Sequence, residues 1–415
     1  MLDHRGDSNP AVLLPLLVSM GDGKDAINML KDRLMKTRLL TLLGCGGIGK
    51  TRLALQVGEE LAANFADGVH WLELASYDSS LSLPQITARV LGLQDASTET
   101  VLTFLESKHL LLVFDNCEHL LPVCAQFMAL VLRLCPRVQI LATSREILNI
   151  DGESAWMIPL LSVPDLHPSF IPDELLQYSA IRLFVERARA ILPFFRLTSE
   201  NARDIIRICR RLDGLPLAIE LAVLRLKVLS LEQINERLND CCKLLTGGRR
   251  SREPKHQAIK ASLDWSYTLL STSEQRLFRR LSVFSGSFTL SAVEAICSDE
   301  QIAQEETLDL LSSLINKSLV IVRHEHHECY YRLLEVTRQY SQALFHKDAD
   351  EEQIRQRYCI WYLALAHQLE TKLSDPDANR WLECLKTEYE NFCSVLFWFD
   401  LQGERTGVEQ INRVI

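Results

Sequence analysis

Residues 42–55 read LLGCGGIGKTRLAL: four glycines, a lysine and a threonine set between two apolar runs. Within them Gly44-Cys45-Gly46-Gly47-Ile48-Gly49-Lys50-Thr51 fits the spacing GxxxxGK[ST]. That spacing has a structural requirement, a strand before it and a helix after it. Gly44, Gly46, Gly47 and Gly49 then let successive backbone N–H groups converge on phosphate oxygens, and the N-terminal end of the helix adds partial positive charge. Lys50 is placed to reach the β and γ phosphates and Thr51 to ligate Mg2+. The alternative is a glycine turn without chemistry, and the flanks speak against it. LLTLLG at 39–44 reads as a strand, and 50–65 carries Leu53, Val57, Leu61 and Phe65 at four-residue steps, the repeat of a helix.

The alternation continues. VHWLEL (69–74), LLLVFD (110–115) and VQILATS (138–144) read as strands, with AWMIPL (155–160) as a fifth. Unbroken apolar strands parted by helices predict a parallel sheet covered on both faces, an α/β domain over residues 37–164. Residues 1–36 form a lead-in. Its AVLLPLLV run at 11–18 is preceded by as many acids as bases, lacks a clear cleavage site and is too short to span a bilayer. VPDLHPSFIPDE (163–174), with three prolines, reads as a linker, and GGRRSREPK (247–255) as a second. Between them, 175–246 is helical in pattern throughout. From 256 to 346 helices come first, followed by SLVIVR, a polar HEHHE and CYYRLL, the order of a winged helix. Residues 350–415 are helical again, the expected start of a repeat-like array that continues in longer relatives.

Asp115 closes the apolar run LLLVFD, which puts a carboxylate at the carboxyl end of a buried strand, where ligands bind in open α/β sheets. It is the second expected Mg2+ ligand beside Thr51. The next residue is Asn116, so Glu118 is the nearer acid to polarise an attacking water; equally, it is an acid complementing a helix N-terminus. Arg145 follows the fourth strand in TSR, placed either to clamp a γ-phosphate or as a surface arginine. The catalytic candidates are thus Lys50, Asp115, Glu118 and Arg145. No NKxD for guanine is present, since Asn316-Lys317-Ser318-Leu319 lies in another domain and lacks the acid, so adenine is expected. Cys45, among backbone donors at a helix N-terminus, is expected to have a lowered thiol pKa and to be protected from alkylation by nucleotide.

The order GGIGKTR, LLLVFDNCEHL, ATSRE and GLPLAIELA resembles the STAND class of P-loop ATPases, above all the NB-ARC-like bacterial transcriptional regulators. LDWSYTLLSTSEQRLFRRLSVFSGSFTL (263–290), LLSSLINKSLV and YRLLEVTRQYS (331–341) extend the resemblance to nearly the whole chain. It implies a nucleotide domain, a small helical domain, a winged helix and a helical superstructure, with ADP or ATP buried among the first three. It also implies that Arg52 and Pro216 join the glycines, Lys50 and Thr51 around the nucleotide. Three positions depart from the pattern. Met20-Gly21-Asp22-Gly23-Lys24-Asp25 stands where VGRE is usual, Cys45 where proline is frequent, and Leu334 where a histidine often touches the β-phosphate, with Arg338 or Arg332 as substitutes.

The net charge of −9 does not draw the chain to DNA or to anionic lipid. The third winged-helix helix, 304–317, carries Glu305, Glu306 and Asp309, a poor surface for phosphates, so direct DNA binding is not expected. The basic run Arg249, Arg250, Arg252 and Lys255 reads as a solvated linker. HEHHEC (324–329) reads as a hairpin turn rather than a metal site, because neighbours on a tight turn seldom converge on one ion. The twelve cysteines, none in a CxxC pair, read as reduced core thiols of a cytoplasmic protein. The sum is an ATP/ADP switch with slow Mg2+-dependent hydrolysis that opens to a protein partner or to its own kind. A scaffold that binds without turnover and a metabolic P-loop enzyme are the rivals. No DNA-binding module is expected ahead of the phosphate loop in this sequence, so transcriptional output rests on the resemblance alone.

Overall fold

The computed structural model describes residues 21–75, 82–165, 171–238, 254–325, 328–372, 378–402 and 411. The chain forms two compact units, residues 1–239 and 240–415. The first opens with α1 (Gly21–Lys36), β1 (Leu39–Leu43) and α2 (Lys50–Leu61), followed by β2 (Val69–Glu73), α3 (Leu83–Leu91) and α4 (Thr98–Glu106). Then come β3 (Leu111–Asp115), α5 (Leu121–Leu134), β4 (Gln139–Ser144) and β5 (Glu153–Met157). The strands form one sheet in the order β2-β3-β4-β1-β5, and every pairing is parallel. Leu39, Leu40 and Leu42 of β1 are fully buried between its two neighbours. Each such leucine contributes about 1.5–3 kcal/mol of burial, so the strand that delivers the phosphate loop is firmly fixed.

The predicted parallel α/β fold is therefore present. The fifth strand begins two residues earlier than predicted, because β5 is an edge strand whose Glu153 and Ser154 are only partly covered and carry no apolar signal. Helices complete the unit: α6 (Pro172–Leu175), α7 (Ser179–Ile191), α8 (Ser199–Arg211), α9 (Pro216–Leu224) and α10 (Leu231–Arg237). Their starts follow local chemistry. Thr198 and Ser230 each form a capping box at the N-terminus of α8 and α10. Most of the second linker, like the AVLLPLLV run, lies outside the described residues.

The second unit contains α11 (Pro254–Thr268), α12 (Thr272–Leu281), β6 (Phe288–Thr289), α13 (Leu290–Cys297), α14 (Gln304–Asn316), β7 (Ile321–Glu325) and β8 (Glu328–Arg332). It ends with α15 (Glu335–Phe345), α16 (Glu351–Lys372) and α17 (Ala378–Gln402). The strands pair antiparallel in the order β6-β8-β7 beside α12, α13 and α14, the winged helix read from the sequence. One apolar core runs from Leu270 to Ile411 and includes both α16 and α17. Phe284 stacks on Phe288 at 4.3 Å and meets Tyr358 of α16 edge-on. Arg280, fully buried, is held by Asp350 at 2.5 Å, Asp299 at 2.5 Å and the Cys297 carbonyl at 2.6 Å. Asn391 of α17 accepts from the Ser285 and Gly286 amides at 2.9 and 3.1 Å and donates to the Ser287 carbonyl. Among the described residues no helix is long and apolar enough to cross a membrane.

Candidate nucleotide site

The phosphate loop leaves β1 at Gly44 and enters α2 at Lys50, so the strand and helix required by the motif are both in place. Gly46 and Gly47 form its turn. Gly47 has φ of +84°, and a Cβ there would lie 2.8 Å from the Leu217 side chain, so only glycine serves. Gly44 and Gly49 also have positive φ, and around Gly49 nothing stands within 4 Å of where a Cβ would be. Lys50 is buried, and its ammonium donates to the carbonyls of Gly44 at 2.7 Å and Cys45 at 3.2 Å. Burial pushes the ammonium pKa down, opposed by Glu118. A buried cation whose hydrogen bonds go to neutral carbonyls is suited to receive an anion.

Asp115 ends β3, with β4 between it and β1. Thr51 donates to its Oδ1 at 2.9 Å, and Thr143 of β4 donates to the same oxygen at 2.5 Å. Thr143 in turn accepts from the Asn116 amide at 2.9 Å. Burial pushes the Asp115 carboxyl up, against the two hydroxyl hydrogen bonds, and nearby Glu118 adds to the rise. The predicted metal pair Thr51 and Asp115 is thus in direct contact. The part of Thr143 was not legible beforehand, although a threonine closing an apolar strand was the available signal.

Glu118 lies in a short 3-10 turn, Cys117–His119, entered through Asn116 at φ of +65°. Its Oε1 accepts from Arg145 Nε at 3.0 Å, with the two side chains 5% and 12% exposed. Its Oε2 is buried without a hydrogen-bond partner. An orphaned carboxylate oxygen in this position costs stability unless a water or a cation completes it. Phosphate-loop glycines with room at Gly49, a buried ammonium and an incomplete carboxylate pair together fit a nucleotide with a divalent cation.

The helical segment closes on the loop. Gly214 has φ of +66°, and a Cβ would meet the Leu161 carbonyl at 2.2 Å. This turn delivers Pro216 as the first residue of α9, and the next amide, Leu217 N, donates to the Gly47 carbonyl at 3.2 Å. Pro216 is therefore beside the phosphate loop. The guanidinium of Arg52 bonds Glu220 of α9 at 2.9 Å. The thiol expectation needs correction: burial pushes Cys45 up, and Lys50 and Arg145 only partly offset it. Leu334 precedes α15 in the second unit, and Arg338 there is bound to Glu335 through two hydrogen bonds of 2.8 Å. On the β7–β8 hairpin His324 Nδ1 and Cys329 Sγ lie 3.2 Å apart, while His326 and His327 lie outside the described residues; no metal-binding cluster of three occurs among those described.

Comparison with known proteins agrees with this geometry. The NB-ARC domain family matches residues 23–147 and the winged helix-turn-helix domain family matches residues 270–346. A Mycobacterium tuberculosis protein named as an HTH-type transcriptional regulator is 37% identical over 382 residues, which is 91% of this chain and 41% of its own. An uncharacterized protein of the same organism is 35% identical over 347 residues, covering 82% of this chain and 85% of that one. The chain belongs to the family of these mycobacterial relatives and carries an NB-ARC domain followed by a winged helix-turn-helix domain. This NB-ARC chain is also similar to the regulatory protein AfsR of Streptomyces coelicolor, 27% identical over 67% of this chain and 27% of that one. It spans about two fifths of the length of the first relative, which is 41% covered. The NB-ARC match spans the phosphate loop, Asp115, Glu118 and Arg145.

Proposed function

We propose that this NB-ARC chain is a cytoplasmic adenine-nucleotide switch that holds one conformation with ADP and another with ATP and Mg2+, reset by slow hydrolysis. The observation that carries it is the cluster of Lys50, Thr51, Asp115 and Glu118 at one end of the sheet, whose buried polar atoms are only partly satisfied. Lys50 would turn from the Gly44 and Cys45 carbonyls to phosphate oxygens, while the loop amides hold the same phosphates. Thr51 and Asp115 would hold Mg2+, which supplies charge neutralisation on the phosphates. Glu118, oriented by Arg145, would accept a proton from water through its unpartnered Oε2. A switch responds to nucleotide only if the nucleotide binds its conformations unequally, and the contact of α9 with the loop supplies a moving part that senses the bound phosphates.

A DNA-binding reading draws on the winged helix and on the name of the first relative. The solvent side of α14 speaks against it: Glu305, Glu306, Leu308 and Asp309 are exposed there, and their charge repels phosphates. The deciding experiment is to denature the purified protein and identify the nucleotide it releases. Stoichiometric ADP is expected, with Lys50→Ala and Asp115→Ala arriving empty. A protein that carries no nucleotide and fails to bind ATP with Mg2+ would overturn the switch. Tight binding with no turnover, the same in Glu118→Gln as in the wild type, would favour the scaffold.

A further inference from the structure

Two sequence motifs 168 residues apart, the tail of GKTR and the middle of LAIELA, meet on one carboxylate. Glu220 is buried in α9, 8% exposed, and its Oε1 accepts from Arg52 Nη1 at 2.9 Å and from Arg187 Nη2 of α7 at 3.2 Å. Arg52 stands in the first turn of α2, next to Thr51. Leu217, three residues before Glu220, lies on the same face of α9, and its amide donates to Gly47 of the phosphate loop at 3.2 Å. One helix face therefore grips the nucleotide cradle at two points, the loop backbone and the helix behind it.

We propose that Glu220 is a positioning residue for the nucleotide site, tying the phosphate-loop helix to the helical segment through Arg52 and Arg187 and so setting how fast nucleotide leaves. The tie rests on the nucleotide-binding reading above. Its logic is electrostatic. One carboxylate neutralises two guanidinium groups, and Arg187 Nε is already buried without a partner. Burial pushes Arg187 down, and Arg52 pushes the same way. Without the carboxylate, Arg52 of α2 and Arg187 of α7 lose the anion of α9 that they share and repel each other, and α9 parts from α2. Leu217 then leaves Gly47, and the loop loses its backing. Arg52 thus acts on the nucleotide through Glu220, not by touching it.

The test is the release rate of fluorescent N-methylanthraniloyl-ADP from the full chain, chased with unlabelled ADP. Glu220→Gln is expected to speed release about 10-fold and Arg52→Ala somewhat less, with the double variant no faster than Glu220→Gln, as expected of one shared interaction. Leu183→Ala, which weakens the core of α7 while keeping all three charged side chains, separates positioning from mere stability. Equal acceleration by Leu183→Ala, or unchanged release in a folded Glu220→Gln, overturns the proposal. If Glu220→Gln does not fold, Arg52→Ala decides alone, since Arg52 is about one third exposed. Exchange of the Leu217 amide with deuterium reads the tie without nucleotide. Faster exchange in Arg52→Ala and Glu220→Gln supports it, and unchanged exchange sinks it. A wild type that binds no labelled ADP yet shows this exchange pattern would overturn the switch and keep the tie.

Discussion

The two units bury charge in opposite ways. In the second unit the buried ions Arg280 and Glu274 are completed by protein. Arg280 has two aspartates and a carbonyl, and Glu274 accepts from Lys317 at 2.7 and 2.8 Å, from Ser313 and from the Ser271 amide at 2.6 Å. Around the phosphate loop of the first unit two buried ions are left short: Lys50 rests on neutral carbonyls and Glu118 keeps an orphaned oxygen. Folding tolerates such incompleteness where something else is to fill it, because an unmet buried polar group costs about 1–3 kcal/mol. The contrast separates a scaffold from a site.

Four measurements press on that contrast. The largest effect is expected from Arg280→Met, which leaves Asp299 and Asp350 facing one another and should destabilise the second unit by about 4 kcal/mol in urea unfolding of the full chain. A loss under 1 kcal/mol would mean that the satisfied cluster is ornamental. Lys50→Ala should cost at least 100-fold in ADP affinity, about 3 kcal/mol by titration, with little change in the urea midpoint. An equally large stability loss would place Lys50 with the scaffold.

Glu388 is the exception within the second unit and sharpens the comparison. Tyr362 donates to it at 2.7 Å and Asn391 at 2.6 Å, yet burial, with Glu328 adding, pushes its carboxyl up to about 7. The folded value lies above the ordinary 4.5, so the protonated form is favoured by folding. The stabilisation is complete below about 4.5 and is lost as pH rises through about 7. Glu388→Gln should abolish this slope and gain about 2 kcal/mol at pH 8. A wild-type stability profile that is flat from pH 5 to 8 would contradict it. The smallest effect concerns Cys45, which should react with N-ethylmaleimide about 10-fold more slowly than free cysteine. A rate at or above that of the free thiol would restore the lowered pKa that the sequence predicts.

Sequence and structure agree best where one short stretch carries its own instructions. β1, β3 and β4 are buried on both faces and announce themselves as unbroken apolar runs, and the glycines of the loop declare the turn they make. β5 is an edge strand, partly wet, and its polar start gives no such sign. Asp115 was legible because a carboxylate at the end of an apolar run is conspicuous. Thr143 beneath it was not, because a buried threonine resembles any strand residue. The resemblance implies Arg52 near the nucleotide but says nothing of its partner Glu220, which lies 168 positions away, a distance that no local pattern spans. At Cys45 a local rule about helix ends met burial, and burial dominates.

Asn391 has a mechanical consequence. A single side chain from α17 takes both amides of Ser285 and Gly286 and returns a bond to Ser287, just ahead of β6. The winged helix and the helices after it are therefore stitched rather than hinged. A protease cutting near Lys347 should leave two pieces that travel together through gel filtration. A force applied to α17 would reach the three-stranded sheet undiminished, as force passes through a weld.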